Sequence, residues 1–151
     1  LSKISMSSRL NIRKVAPDAI QALNVLDEYM HCSGLANNHK HLIKLRVSQL
    51  NGCAYSIHKY SGEARSAGIT EERIYGLTAW KTSNLYTEDE RSVLYLAEEV
   101  TLIQDHHVTD EVYTRAMYFF DEYYFSQLLM AIITINAWNR ITIVSNMLPD
   151  K

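Results

Sequence analysis

The chain has 151 residues, 47% of them apolar and 21% charged, with a formal charge of -2, which suits one ordinary globular domain able to stabilise itself by burial alone. No cluster of Lys and Arg exceeds a few residues, so a nucleic-acid surface built on basic charge is excluded. Five glycines and two prolines are few breakers for this length and favour helices over many short strands; the two cysteines, Cys32 and Cys53, fit neither a zinc site nor a disulfide framework.

In chain order, the first five residues, LSKIS, precede Met6 and read as an extension or tag remnant, so the expected domain is 6–151. Pro17 and Asp18 begin a helix with an apolar stripe of Ile20, Leu23, Leu26 and Met30, stopped near Gly34. Asn37 or Asn38 is the expected cap of a second helix, with Leu42, Ile43, Val47 and Leu50 inward and Asn51-Gly52 as its break. A third helix is expected from about Cys53 to near Gly68, and Thr70 with Glu71 and Glu72 opens a short fourth. Thr87 and Glu90 have capping-box spacing ahead of Val93, Leu94, Ala97, Val100 and Leu102. Thr109, Asp110 and Glu111 open a sixth. The last helix is expected from about Phe125 towards Asn146, with Pro149 beyond, and is apolar nearly all round, as a central helix or one packed on a second subunit would be. Its longest apolar run, broken by Thr134 and Asn136, is short for a membrane span. The reading is all-α, single-domain and cytoplasmic, with about six to seven helices and no membrane or nucleic-acid partner.

The stretch NGCAYSIHKY, residues 51–60, carries the chemistry. If Cys53 opens a helix, Cys53, Ser56 and Tyr60 share one face, because positions i, i+3 and i+7 stack. His58 then points elsewhere, and Tyr60 lies over the thiol's turn. A helix start favours a thiolate, yet a free cysteine is more often a small buried hydrophobe.

The segments LIKLRVSQLNGCAYS (42–56), EARSAGITEERIYGLTAW (63–80), YTEDERSVLYLAEEVT (86–101) and ITINAWNRI (133–141), with SSRLNIRKVAPDAIQAL (7–23), resemble the alkylhydroperoxidase D-like, or carboxymuconolactone decarboxylase, family. The resemblance implies an all-helical fold assembled into a homo-oligomer, a trimer or hexamer. It implies no cofactor and no metal. Redox members of the family carry a Cys-x-x-Cys pair at a helix start, a histidine four residues after it and a glutamate twelve residues before it, and reduce hydroperoxides. On this chain the first cysteine is Cys53, the second, attacking, position is Ser56, the histidine position is Tyr60 and the glutamate position is His41. A serine hydroxyl is not a nucleophile at neutral pH without a base, and it forms neither sulfenic acid nor disulfide. Tyrosine titrates near ~10 and makes a poor general base, whereas His41 has a reference pKa of about 6.5 and suits that role if it lies over Cys53.

Three readings follow from Cys53, Ser56, Tyr60 and His41 as the site. Cys53 acts as a one-cysteine, thiol-dependent peroxidase, with a hydroperoxide substrate and an external thiol reductant; Cys32 would resolve it only with the two Cα atoms within about 7 Å. Alternatively, a His41/Tyr60/Ser56 cluster takes a small lactone or carboxylate in non-redox lyase chemistry. In the third, the oligomer binds without catalysis. On the resemblance, the first is the leading function, with weak or no peroxidase activity.

Other residues read as structural. His39 and His41, two apart, face different sides of a helix and do not share a metal. His106 and His107 suit a solvated helix end, and Glu98 is a wet-face residue unless it turns inward. The aromatic segment Tyr113 to Phe125 suits a core or a subunit interface. Asn136 and Asn139, flanking Trp138, need buried partners.

Overall fold

A computed structural model describes residues 9–149, so the expected extension 1–5 and the exact ends of the 6–151 domain lie outside the described residues. These residues form nine α-helices and one 3-10 segment, with no strand among them. Helix α1 is Ile12–Val15, α2 Pro17–His31, α3 Asn37–Leu50, α4 Ala54–Ser66, α5 Glu71–Tyr75, α6 Glu88–Thr101, α7 Ile103–His106, α8 Asp110–Phe119 and α9 Glu122–Val144; the 3-10 segment is Gly76–Thr82. The seven expected helices are all present. The excess over six to seven comes from α1 and α7, each a single turn of four residues. Apolar periodicity needs a window of roughly 11–18 residues, so one-turn helices leave no such signal.

The capping chemistry explains most boundaries. Pro17 occupies the first turn of α2 and Asp18 sits at its positive end. Thr87 and Glu90 close the capping box of α6, and Thr70 and Thr109 accept the Arg73 and Val112 amide protons at the starts of α5 and α8. Two starts differ from expectation. The residue before α3 is Ala36, not an asparagine, and its N–H donates to the Tyr124 hydroxyl at 2.9 Å, a contact from the far end of the chain that no local pattern reveals. Helix α9 begins at Glu122 because the Asp121 carboxylate accepts the Tyr124 N–H at 2.7 Å, so the helix gains its first turn ahead of Phe125. At its other end Asn146 takes φ 54°, and the Met147 and Asn146 amides donate back to Thr142 and Ile143 before Pro149.

Helix α3 is the hub, packed on α4, α6 and α9, and α9 also touches α2 and α6. Their shared core includes Leu42, Ile43, Val47, Val93, Leu94, Leu128 and Ile132, all essentially inaccessible. Helix α9 is the one described helix long and apolar enough to cross a membrane by length and composition, but within this chain it is the floor on which α2, α3 and α6 lie. Ile133, Ile143 and Val144 stay exposed, so the burial on most sides expected of α9 is incomplete within one chain. The aromatic segment divides. Phe120 and Tyr124 stack at 5.0 Å against the core, while Tyr118 and Tyr123 stand in solvent.

Candidate active site

The site begins with the junction between α3 and α4. Asn51 ends α3, and Gly52 follows at φ 64°, a left-handed conformation that glycine adopts without steric cost. The Gly52 N–H donates to the Gln49 carbonyl at 3.1 Å and the Cys53 N–H to Ser48 at 3.0 Å, the two bonds of a Schellman close. Cys53, in extended backbone, is also the residue before α4 and its carbonyl accepts the Ile57 N–H at 2.9 Å. One residue thus terminates one helix and launches the next, which fixes the thiol's position.

Buried and half-buried amides hold this turn in place. Asn51 Nδ2 donates to Asn136 Oδ1 at 3.1 Å and to Asn139 Oδ1 at 3.0 Å, and Asn139 Nδ2 donates to Ser48 Oγ at 3.1 Å. Asn136 Nδ2 reaches Thr101 Oγ1 and the Ile132 carbonyl, each at 3.0 Å. Both asparagines of α9 therefore have partners and work through hydrogen bonding that ties α9 to the cysteine turn.

On α4 the stripe stands as the helical spacing demands. Cys53, Ser56 and Tyr60 are 1%, 3% and 5% exposed, and His58 is exposed on the other side. The Cys53 thiol donates to Ser56 Oγ at 3.1 Å, its one hydrogen bond to a described residue. A cleft of about 1120 Å³ opens between α2, α4 and α9, and Ser56, Tyr60 and His41 are in its wall. Cys53 is not a lining residue; its buried sulfur is bonded to the hydroxyl of Ser56, which is one.

Of these three wall residues, the two with shifted titration, Tyr60 and His41, are both neutral near pH 7. Burial pushes the Tyr60 phenol well above its ordinary range, with Asp27, Glu63, Cys53 and Tyr55 adding to the rise. It donates a proton to a hydrogen bond but does not serve as a base. Burial lowers the His41 imidazole; Lys44 lowers it further, Glu63 opposes, and Lys40 adds to the fall. His41 Nδ1 is buried without a partner among the described residues. His41 is in the cleft with Ser56 and Tyr60 but makes no hydrogen bond to the sulfur.

Sequence reasoning missed a charged frame around Tyr60. Lys44 and Glu63 pair at 2.8 Å, and Lys59 approaches the same carboxylate at 3.9 Å. Both ammonium groups lie over the Tyr60 ring, at 5.3 and 5.6 Å from its centroid. Lys59 and Glu63 were accessible through the i+3 and i+7 spacing from Ser56; Lys44 needed the packing of α3 on α4.

The remaining candidates have structural partners. His39 Nδ1 meets the Tyr124 hydroxyl at 2.7 Å and Nε2 meets Asp89 Oδ2 at 3.1 Å, on a different side from His41. Glu98 turns inward and accepts from Arg46, Trp80 and Lys81; burial pulls its carboxyl up, but those donors outweigh burial and hold it below its ordinary range. Cys32 is exposed and free, and its thiol donates to Glu28 Oε1 at 3.4 Å, an interaction that raises it. His107 is exposed at the end of α7, while the His106 side chain lies outside the described residues.

The profile of the carboxymuconolactone decarboxylase family matches residues 17–99. An uncharacterized protein of Bacillus subtilis strain 168, YdfG, is 39% identical over 138 residues, 91% of this chain and 94% of its own. Among solved structures, a protein of unknown function from Agrobacterium tumefaciens, whose suggested role is antioxidant defence as an AhpD protein, is 33% identical with a TM-score of 0.93, over 96% of this chain and 99% of its own. The alkylhydroperoxidase AhpD core of an uncharacterized peroxidase-related protein from Ralstonia eutropha JMP134 has a TM-score of 0.79 at 16% identity, over 92% of this chain and 74% of its own, a likeness of fold alone.

Proposed function

The chain belongs to the carboxymuconolactone decarboxylase family, and from that premise we propose that it is a peroxidase-type oxidoreductase by descent whose site has departed from dithiol chemistry, with hydroperoxide turnover at or near background. The observation that carries this is that the residue of the pair lining the cleft bears a hydroxyl, not a sulfur: Ser56 is a lining residue, while Cys53, 1% exposed, is not. Any thiol reaction would run through Cys53. Its sulfur would attack the distal hydroperoxide oxygen; the S–O bond forms as the O–O bond breaks, and the departing alkoxide takes the thiol proton, giving a sulfenic acid and an alcohol. Two equivalents of an external thiol would then return the sulfur to the thiol, releasing water and an external disulfide. Burial slows the first step, and Tyr60 in the histidine position does not supply a base. This reading takes the working form to be a cytoplasmic homo-oligomer, a trimer or hexamer. Stopped-flow reaction with hydroperoxide, wild type against Cys53→Ala, tests it: both rates lie near background. Fast turnover that depends on Cys53 would refute the departed-site reading.

A second reading is supported by His41, whose unpartnered nitrogen faces acid–base rather than redox work. Non-redox lyase chemistry on a small lactone or carboxylate would use that imidazole with the Tyr60 phenol as proton donor. A panel of lactone acids in a thermal-shift assay addresses it, and no shift with any of them counts against it.

A further inference from the structure

We infer that the cleft binds an amphipathic carboxylate, with the carboxylate held at Ser56, Tyr60 and His41 and an apolar chain laid along α9. The inference rests on the reading that this cleft is the functional site, and it names the ligand class.

The first support is size and lining. A cavity of about 1120 Å³ lies just above the range that drug-sized ligands occupy, roughly 300–1,000 Å³, and a small hydroperoxide leaves most of it to water. Its floor takes Ile43 from α3 and Ala131, Ile135, Trp138 and Ile141 from α9, with Met147 just beyond; Thr134 and Thr142 also line it, but their hydroxyls donate to the Met130 and Trp138 carbonyls of the same helix. A wall of this kind gains from a ligand with a hydrocarbon body.

The second support is the chemistry of the polar end. Ser56 Oγ already accepts the Cys53 thiol proton, so its own hydrogen is directed to another acceptor. The Tyr60 hydroxyl is a proton donor, and no hydrogen bond to another described residue fixes its pKa or its direction. Neutral His41 brings one ring N–H, and its Nδ1 is without a partner. These groups supply three donor hydrogens, one each, which a carboxylate's oxygens can accept.

The third support is charge. Arg13, Lys40, Lys44 and Lys59 line the cleft against Asp27, Glu28 and Glu63, an excess of one cation with histidines left neutral. Glu63 sits between Lys44 and Lys59 beside the Tyr60 ring, so one carboxylate there answers two ammonium groups. Asp27 faces Tyr60 from α2 and places the incoming carboxylate on the lysine side.

Isothermal titration of the full chain with acetate, hexanoate, octanoate and 1-octanol, below micelle formation, tests the inference. Acetate gives no heat of binding. Octanoate binds about tenfold more tightly than hexanoate, since each buried methylene is worth roughly a threefold gain. Octanol binds at least about tenfold more weakly than octanoate, for want of the charge. Tyr60→Phe, which keeps the ring and its packing, weakens octanoate about fivefold and leaves octanol unchanged. An affinity that does not rise with chain length, or octanol binding as well as octanoate, overturns the inference; so does a Tyr60→Phe variant that weakens octanoate and octanol alike. The outcome is separable from the redox reading. Flat titrations with background peroxide rates remove this inference alone, and chain-length-dependent binding with rapid Cys53-dependent peroxide turnover removes only the departed-site reading.

Discussion

Replacing Ser56 with cysteine supplies the second sulfur that the proposed departed-site reading takes to be lost. Cys53 Sγ and Ser56 Oγ are 3.1 Å apart in the present turn. A disulfide needs about 2.05 Å between sulfurs, and a C–S bond is longer than a C–O bond, so the two sulfurs are brought together by rotation about Cβ with little backbone movement. The reduced Ser56→Cys protein has three thiols per chain, because Cys32 and Cys53 are both free in the wild type. Mild oxidation joins two of them, with loss of two hydrogens, and leaves one thiol titratable. Cys32, exposed and bonded to Glu28, is the one that remains. Because position 56 lines the cleft and position 53 does not, the new sulfur is alkylated by iodoacetamide before Cys53. Ser56→Cys alone raises peroxide turnover above background but lacks a base. Adding Tyr60→His raises it further, by about 10²-fold, the lower end of what a positioned general base supplies. Ellman titration and mass spectrometry read the disulfide; stopped-flow reads turnover. Three thiols persisting after oxidation of Ser56→Cys would refute the helical-stripe geometry on which the site is built.

Three further outcomes follow from the same turn and wall. Gly52→Ala lowers stability by about 1–2 kcal/mol in urea unfolding, because φ 64° puts a Cβ in the left-handed region although no neighbouring atom obstructs it. Asn139→Ala costs about 1–3 kcal/mol in the same assay, since it leaves Asn51 and Ser48 short of a buried partner, and it loosens the thiol turn, read as faster alkylation of Cys53. His41 has its folded pKa depressed below the unfolded value of about 6.5, so the unfolded chain binds the proton first and stability, full above pH ~6.5, is lost as pH falls from there through the folded pKa. His41→Asn flattens this part of the pH–stability curve, and an unchanged slope between about pH 6.5 and 5 would show that His41 does not carry it.

The sequence made the helical stripe readable because it depends on one local fact, a helix opening at Cys53, and Asn51-Gly52 announces that opening. The same was true of the Thr87–Glu90 capping box, which needs only neighbours in the chain. The places where local reading fell short are those where a distant residue decides. Asn37 and Asn38 looked like caps, but Tyr124 meets the Ala36 N–H across 88 positions. Glu98 read as a wet face unless inward; what turns it inward is Arg46, 52 positions away, together with Trp80 and Lys81. The charged frame over Tyr60 was half legible, through the spacing of Lys59 and Glu63, and half hidden, because Lys44 arrives on another helix. Above all, the sequence presented Cys53 as the reactive centre, while only the packing shows that Ser56 lines the cleft and Cys53 is buried outside its lining.

The three departures from the redox pattern act in one direction. A glutamate, a cleft-facing cysteine and a histidine are groups that gain or lose a proton within reach of neutral pH when paired, which is what a relay requires. His41 is held neutral by burial and Lys44, Ser56 does not ionise, and Tyr60 is pushed away from ionisation by burial and its acidic neighbours. A wall of neutral hydrogen-bonding groups neither activates a thiol nor carries a proton through a cycle, yet it is suited to holding a polar head in a fixed place without changing its own charge. Of the surrounding charges, Lys44 and Lys40 disfavour a proton on His41 and Glu63 opposes them, so burial with the two lysines keeps the imidazole neutral. Reverting one position therefore leaves the other two out of step. Tyr60→His alone would put a base beside a serine, and Ser56→Cys alone a thiol beside a phenol. A relay returns only when thiol and base are restored together, which is why the double variant, rather than either single one, measures how far this site has moved from peroxide chemistry.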